Sequence, residues 1–533
     1  YRDALPSHAF LRWRYHYPQA TFPYDDLLAT NAARDRTEPE YELIDTGVFD
    51  DDRYWVIDVD YAKATPTDIS IRITVTNAGP DEATLDVLPT LWFRNTWGWG
   101  RGHPVPEIRV DSGALIATHW RSGTYHLDPG PLPDGTSPTP VLCTNETNDE
   151  LLFGAENITA YPKDGIDRHV RLGDPSVNPE HRGTKGAWWY RVTVPAGQTR
   201  ELRLRLWKSP DNRRDPQALG RAFEELFATR ESEADEFYGD LAPENCPKAE
   251  LVAMRAAFAG LIWSKQFYRY DIQRWLSGDP GQPAPPPPDQ RRNHNWQQVD
   301  AYDVISMPDA WEYPWFAAWD LAFHTVVFTH VDPSYAKYQL LLMCREWYMH
   351  PNGALPAYEW NFGDINPPVH AWAALRVFEI DGTQDYDFLQ EVFQKLLMNF
   401  TWWVNRVDAE GNNVFQGGFL GLDNVGPINR SQLPEGCALE QADGTAWMAF
   451  YCLSMLRIAL RLAEHEAVYD AMALKFAEHF AAITDGMAAS GMWDWQEGFF
   501  YDQLMRPDGT QQPLRVRSIV GPIPILAAAW LET

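Results

Sequence analysis

At 533 residues the chain is long enough for roughly two to four domains. Its 74 acidic against 45 basic residues leave a net charge of −29. That balance argues against nucleic acid and against an anionic membrane surface as partners, because both need a basic face.

Hydrophobic residues make up 45%, enough for a sizeable core, and aromatics reach 14%, with 24 Trp, 23 Tyr and 25 Phe. An excess of rings fits stacking on the apolar faces of sugars; helical barrels and β-sandwiches also bury many tryptophans. Cys143, Cys246, Cys344, Cys437 and Cys452 are odd in number and lack C-x-x-C spacing. Neither a disulfide framework nor a zinc site is indicated, and a reducing, cytoplasmic compartment fits. No apolar run approaches the length of a membrane span; the nearest, 519–531, is broken by Pro522 and Pro524.

Residues 1 to about 205 read as β-rich. Ile69, Ile71, Ile73 and Val75 alternate with polar residues, as do Trp55, Ile57 and Val59, and Leu202, Leu204 and Leu206. Turn signals at 77–80 and 195–197 separate such runs. Many short strands with regular turns suggest a sandwich. Trp92, Trp97 and Trp99 sit among glycines, either as a sugar-contacting edge or as a plug at a domain interface. From about 210 the period changes to helical over 215–238 and 248–275, with Leu251, Met254, Phe258, Leu261 and Ile262 as one stripe. The segment 278–289, GDPGQPAPPPPD, is an extended proline-rich connector. Beyond about 291 the chain reads as helical, over 316–331, 334–349, 369–379, 387–407, 442–462 and 467–487, with a last start near Pro524. Helices joined by loops that carry polar and aromatic residues suit an α/α barrel with a pocket at one end.

The loop 353–372, GALPAYEWNFGDINPPVHAW, joins two acids to several rings. Asn366-Pro367-Pro368 cannot lie inside a helix, so Glu359 to Asp364 reads as loop and Val369 onward as helix. Cleavage of a glycosidic bond needs an acid to protonate the leaving oxygen and a second carboxylate, ~6.5–9.5 Å away for inversion. Asp364 serves that chemistry or caps the helix; Glu359, flanked by Tyr358 and Trp360, is its rival.

Asp320 follows Trp315-Phe-Ala-Ala-Trp319 at a helix start, where it grips sugar hydroxyls beside a stacking ring or complements the helix dipole. Asp423 ends a glycine-rich turn and faces substrate or forms the turn. Glu440 with Asp443, and the cluster 493–502, read mainly as capping and a short hairpin. No phosphate loop, dinucleotide fingerprint or G-x-S-x-G elbow occurs. His294, His324, His350 and His370 lack ligand spacing, so neither a metal nor another cofactor is expected. The sequons at Asn145, Asn157, Asn399 and Asn429 read as chance.

At these residues the chain resembles glycoside hydrolase family 63, near its bacterial glucosidase branch, which is related to processing α-glucosidase I and mannosylglycerate hydrolase. The stretches that carry the resemblance are WSKQFYRYDIQRWLSGDP (263–280), RNHNW (292–296), DVISMPDAWEYPWFAAWDLAFH (303–324), REWYMHPNGALPAYEWNFGDINPPVHAWA (345–373), GGFLGLDN (417–424) and PLRVRSIVG (513–521). It implies a multidomain chain with an N-terminal β-sandwich (1–208), a helical linker with the proline-rich connector (209–290) and the first part of a C-terminal (α/α)6 barrel (291–533).

The resemblance also implies an inverting α-glycosidase acting on an oligosaccharide or small glucoside. Asp364 occupies the position of the general acid, and Trp319 and Asp320 match the pair that holds the sugar. Trp315, Glu359, Trp360, Asn361 and Asp423 would line the site. The family's general base falls late in the barrel, beyond residue 533. The chain is therefore expected to be an internal piece of a longer protein, inactive by itself. Other readings are a trehalase or glucoamylase relative, and a non-catalytic carbohydrate-binding protein.

Overall fold

The alternating runs of the N-terminal part lie side by side. In the computed structural model Ile69, Ile71 and Ile73 stand opposite Leu206, Leu204 and Leu202, while Ile57 and Val59 stand opposite Val75 and Ile73. The period of two that made these runs legible also sends their side chains to a common face. The structure describes residues 1–99, 102–132, 134–208, 217–278, 284–291, 293–294, 296–309, 315–362, 366–382, 385–406, 415 and 433–528.

Among the described residues the sheet has nine strands, in the order Asp3–Ala4, Phe10–Pro18, Tyr54–Thr65, Asp68–Asn77, Thr199–Trp207, Gly123–Pro129, Ala114–His119, Glu107–Asp111 and Arg182–Gly183. A second sheet sets Lys185–Val194 between Thr139–Cys143 and Ala83–Val87. Trp55, Val75, Leu127 and Leu204 of the first sheet meet Trp188, Tyr190 and Val192 of the second in one hydrophobic cluster. The polar tips buried there are satisfied across the core. Trp188 Nε1 donates to the Leu127 carbonyl at 3.1 Å, and the Tyr190 hydroxyl donates to that of Gly130 at 3.0 Å.

Contacts divide the chain into two units, Tyr1–Ile262 and a second that begins at Trp263. The first unit includes helix α1 (Arg221–Leu241) and nearly all of α2 (Lys248–Trp263). The span 209–290, read from the sequence as one linker, is thus shared between the units. Phe223, Phe227, Ala234 and Tyr238 form the buried stripe of α1, and the Tyr238 hydroxyl donates to the Ala4 carbonyl at 2.6 Å.

The helix expected over 248–275 is corrected: it stops at Trp263, and Lys265–Asp271 is a strand paired with Asp300–Ser306. The reason lies in KQFYRYD, where Tyr268 and Tyr270 pack inward while Phe267, just before them, is exposed. That is a period of two in aromatic residues, which favour strands.

The second unit is otherwise largely helical, as expected. It holds α3 (Ala318–Phe328), α4 (Pro333–Met343), α5 (His370–Ile380), α6 (Tyr386–Val404), α7 (Ala442–Ala463) and α8 (Val468–Ala489). Asp332 caps α4 ahead of Pro333, and Asp385 caps α6, each accepting a backbone N–H of the first turn. Neighbours in sequence pack as pairs, α3 on α4 and α7 on α8, while α5 lies against both α3 and α7. Among the described residues α7 is a helix long and apolar enough to cross a membrane, which the sequence reading did not register. Most of its residues are buried, the pattern of a core helix. The last helical start is a short 3-10 turn, Ile523–Ala527.

Candidate active site

Proline at 367 and 368 stops the chain from being helical until His370, and this leaves the described residues 353–362 and 366–368 as loop ahead of α5. The loop is anchored at its start. Gly353 has φ +95°, and a Cβ there would stand 2.3 Å from the Met398 carbonyl oxygen of α6. Only glycine fits both the conformation and the approach.

The loop then turns back on itself. The Ala357 N–H donates to the Asn361 carbonyl at 2.9 Å and the Asn361 N–H to that of Tyr358 at 3.0 Å. The same turn pairs with the stretch that leads into α3. Ala317 and Tyr358 form an isolated antiparallel bridge, the Ala318 N–H donates to the Ala357 carbonyl, and the Glu359 N–H donates to that of Phe316, both at 3.3 Å. This short ladder joins the backbone of 316–318 to that of 357–359, segments some forty residues apart.

Each side chain then has its own setting. Trp319 is half-buried and meets Phe323 edge-to-face at 5.8 Å. Asp320 lies half-buried in the first turn of α3, and burial raises its carboxyl above the usual range against the pull of its own backbone N–H. Trp315 is also half-buried. Glu359 has φ +43°, a left-handed conformation that non-glycine residues rarely adopt, and its Oε1 accepts from the Tyr268 hydroxyl at 2.7 Å.

Trp360 corrects an expectation. Its side chain is fully buried among Ile272, Leu276, Trp296 and Val299, so the ring supports the loop from beneath and offers no face to a sugar. Asp364 and Asp423 lie outside the described residues. On either side of 363–365 the chain is fixed: Phe362 meets Trp296 at 5.1 Å, and Asn366 Nδ2 donates to the Ala357 carbonyl.

A small cleft of about 20 Å³, room for roughly one water, lies between Trp319, Asn366, Pro368, His370, Trp402 and Trp403. It places the first turns of α3 and α5 at the same end as the last turn of α6. Two histidines near this end are neutral at ordinary pH. Burial pushes His370 down to about 4, and it does the same to His324, whose Nδ1 lies 2.8 Å from Ser306 Oγ. Neither suits proton transfer near neutrality.

Sequence reasoning missed two features. Tyr268 gave no signal as a partner of Glu359, although it lies inside one of the matched stretches. The other is a pair of buried carboxyls, Asp443 in the first turn of α7 and Asp502, whose Oδ1 accepts the Ala442 N–H at 2.9 Å. Burial lifts Asp502 to about 6, with Asp443 adding to the rise. The cluster 493–502 does form a hairpin, with Trp493 opposite Phe500. Its Glu497 is held down to about 2 by the Tyr501 hydroxyl and by Arg517 and Arg515, a surface ion network. No group of three metal-ligating side chains occurs among the described residues.

The stretch that holds Trp319, Asp320 and Glu359 also lies where the chain is similar to known proteins. Residues 313–418 match the mannosylglycerate hydrolase MGH1-like glycoside hydrolase domain. That match falls on residues that carry the resemblance to glycoside hydrolase family 63. The uncharacterized protein YMR196W of Saccharomyces cerevisiae is 40% identical over 599 residues, an alignment that covers 100% of this chain and 54% of that protein. The chain thus spans about half the length of the curated relative it matches. Two structures from Thermus thermophilus are also similar. One is a GH63 mannosylglycerate hydrolase in complex with glucose, at 17% identity, covering 42% of this chain and 69% of that one with a TM-score of 0.34. The other is an uncharacterized conserved protein, at 19% identity, 42% and 67% coverage and a TM-score of 0.33.

Proposed function

We propose that the full-length protein is an inverting α-glycosidase and that this chain supplies its sugar-holding residues and its general acid. The observation that carries the proposal is the backbone ladder between 316–318 and 357–359, inside the stretch that matches the hydrolase domain. By this proposal Trp319 stacks on the sugar, Asp320 holds its hydroxyls and Glu359 is a second carboxylate, on the two segments that the ladder joins. In this reading the two sheets are the family's β-sandwich and the helical pairs are the first part of its (α/α)6 barrel. The location is the cytoplasm.

Asp364 protonates the glycosidic oxygen as the C1–O bond breaks. A carboxylate acting as base removes a proton from the water that attacks C1 from the opposite face. The products are a free sugar of inverted anomeric configuration and the released alcohol.

The test uses the full-length protein with α-glucosides, α-mannosides and mannosylglycerate, the anomer released being read by NMR. Asp364→Asn is expected to lower kcat by ~10²–10⁴-fold. If hydrolysis survives that change, Asp364 is not the acid, and Glu359 takes its place in the test.

A further inference from the structure

We propose that Tyr268 is the positioning residue for Glu359: it holds one carboxylate oxygen and leaves the other to accept a hydroxyl of the bound sugar. The inference rests on the glycosidase reading above and deepens it.

The backbone of Glu359 is the first observation. At φ +43° a residue with a Cβ is strained by ~1–3 kcal/mol, and such strain persists only where the surroundings over-determine it. Here they do so twice. The Glu359 N–H is committed to the Phe316 carbonyl at 3.3 Å, and the Glu359 side chain is committed to the Tyr268 hydroxyl at 2.7 Å. The two residues that hold it hold each other, since the rings of Tyr268 and Phe316 meet edge-to-face at 5.6 Å with planes at 90°.

The frame continues behind them. Phe316 meets Tyr348 at 5.4 Å, the Tyr348 hydroxyl lies 3.3 Å from Asp303 Oδ2, and Asp303 stands opposite Tyr268 in the strand pair. The chain therefore closes on itself, from Tyr268 through Phe316, Tyr348 and Asp303 back to Tyr268. Glu359 is attached to it by both backbone and side chain.

The second observation is what remains unused. Glu359 is half-buried rather than enclosed, and among the described residues the Tyr268 hydroxyl is the hydrogen-bond partner of its carboxylate. A carboxylate has about four acceptor sites on its two oxygens, so Oε2 retains its capacity. Burial, with the neighbouring Glu359, pushes the Tyr268 phenol far above its ordinary range, so it remains a proton donor to Oε1. A group so arranged is an acceptor with fixed direction, suited to a sugar hydroxyl. The ladder that fixes it also pairs its loop with the segment that leads into α3.

The test compares Tyr268→Phe, Glu359→Gln and the double variant in the full-length protein, with kcat, KM for an α-glucoside, affinity for glucose by calorimetry, and melting temperature. Tyr268→Phe keeps the ring and its packing. A hydrogen bond to a charged group is worth about one order of magnitude in binding. Tyr268→Phe is therefore expected to raise KM and weaken glucose about tenfold with kcat within about threefold, and the double variant is expected to be no worse than Glu359→Gln alone. Unchanged KM and glucose affinity in Tyr268→Phe overturn the proposal, and so do losses that add in the double variant. A purely structural tyrosine would lower the melting temperature and leave both affinities alone. If Tyr268→Phe does not fold, Glu359→Gln decides, and unaltered glucose affinity there overturns the assignment. If the wild-type protein cleaves no α-glycoside, the glycosidase reading fails. Glucose titration then judges this inference separately: tenfold weaker binding by Tyr268→Phe upholds it, and equal binding or none by the wild type overturns it.

Discussion

Asn399 ties the start of the acid-bearing loop to the most buried helix. Its Nδ2 donates to the Gly353 carbonyl at 2.8 Å, and its Oδ1 accepts from the Tyr451 hydroxyl at 3.0 Å. Asn399 is almost wholly buried, so its sequon is sealed in the fold. Asn399→Leu would leave a buried carbonyl and a buried hydroxyl without this partner, at ~1–3 kcal/mol each. Gly353→Ala would force a Cβ onto the Met398 carbonyl at a φ of +95°. Both variants are expected to lower the melting temperature of the helical unit by several degrees. Both should also reduce kcat, since Gly353 anchors the stretch that leads to Glu359. Scanning calorimetry with turnover checks this, and wild-type melting in Asn399→Leu would contradict the clamp.

Trp319 and Trp360 separate site from scaffold. Both were candidate sugar contacts in the sequence, yet Trp319 is half-buried beside the cleft and Trp360 is enclosed by Ile272, Leu276, Trp296 and Val299. Trp360→Ala removes a buried indole and should cost ~3–5 kcal/mol of stability. Trp319→Ala should cost less stability and raise KM more. Melting curves and KM for the two variants, taken together, check the assignment; a larger KM effect from a stably folded Trp360→Phe would reverse it.

That pair also shows what the letters could and could not reveal. Period-two runs such as Ile69 to Val75 and Leu202 to Leu206 were legible because one face of a sheet is buried, and they proved to be direct neighbours. Helices α3 to α8 were legible from their apolar spacing, and capping acids or prolines mark the starts of α4, α5 and α6. The strand Lys265–Asp271 was read as helix because its alternation spans only Tyr268 and Tyr270, and its partner, Asp300–Ser306, lies beyond a proline-rich connector. Burial of one tryptophan and exposure of another is a tertiary property, invisible to composition. So is the Tyr268–Glu359 hydrogen bond, whose partners stand 91 residues apart. The ladder that joins Phe316 to Glu359 explains why two motifs read separately belong to one site.

The buried carboxyl of Asp502 gives stability a dependence on pH. Burial, reinforced by Asp443, raises it from 3.8 to about 6 in the folded chain, although the Ala442 N–H and Gln441 pull the other way. The folded state thus binds this proton more tightly than the unfolded chain does. Its contribution is most favourable below about pH 4, declines as the pH rises through about 6, and stays unfavourable above that. A rise of this size corresponds to ~3 kcal/mol. Asp502→Asn keeps an oxygen for the Ala442 N–H and removes the titration. Relative to wild type, the variant should gain ~2–3 kcal/mol between pH 4 and pH 7, whatever its offset at pH 4. The measurement is the difference in melting temperature between variant and wild type across that range. A constant difference would mean that Asp502 ionises in the folded chain as it does in the unfolded one, and that its contact with the start of α7 costs nothing in charge burial.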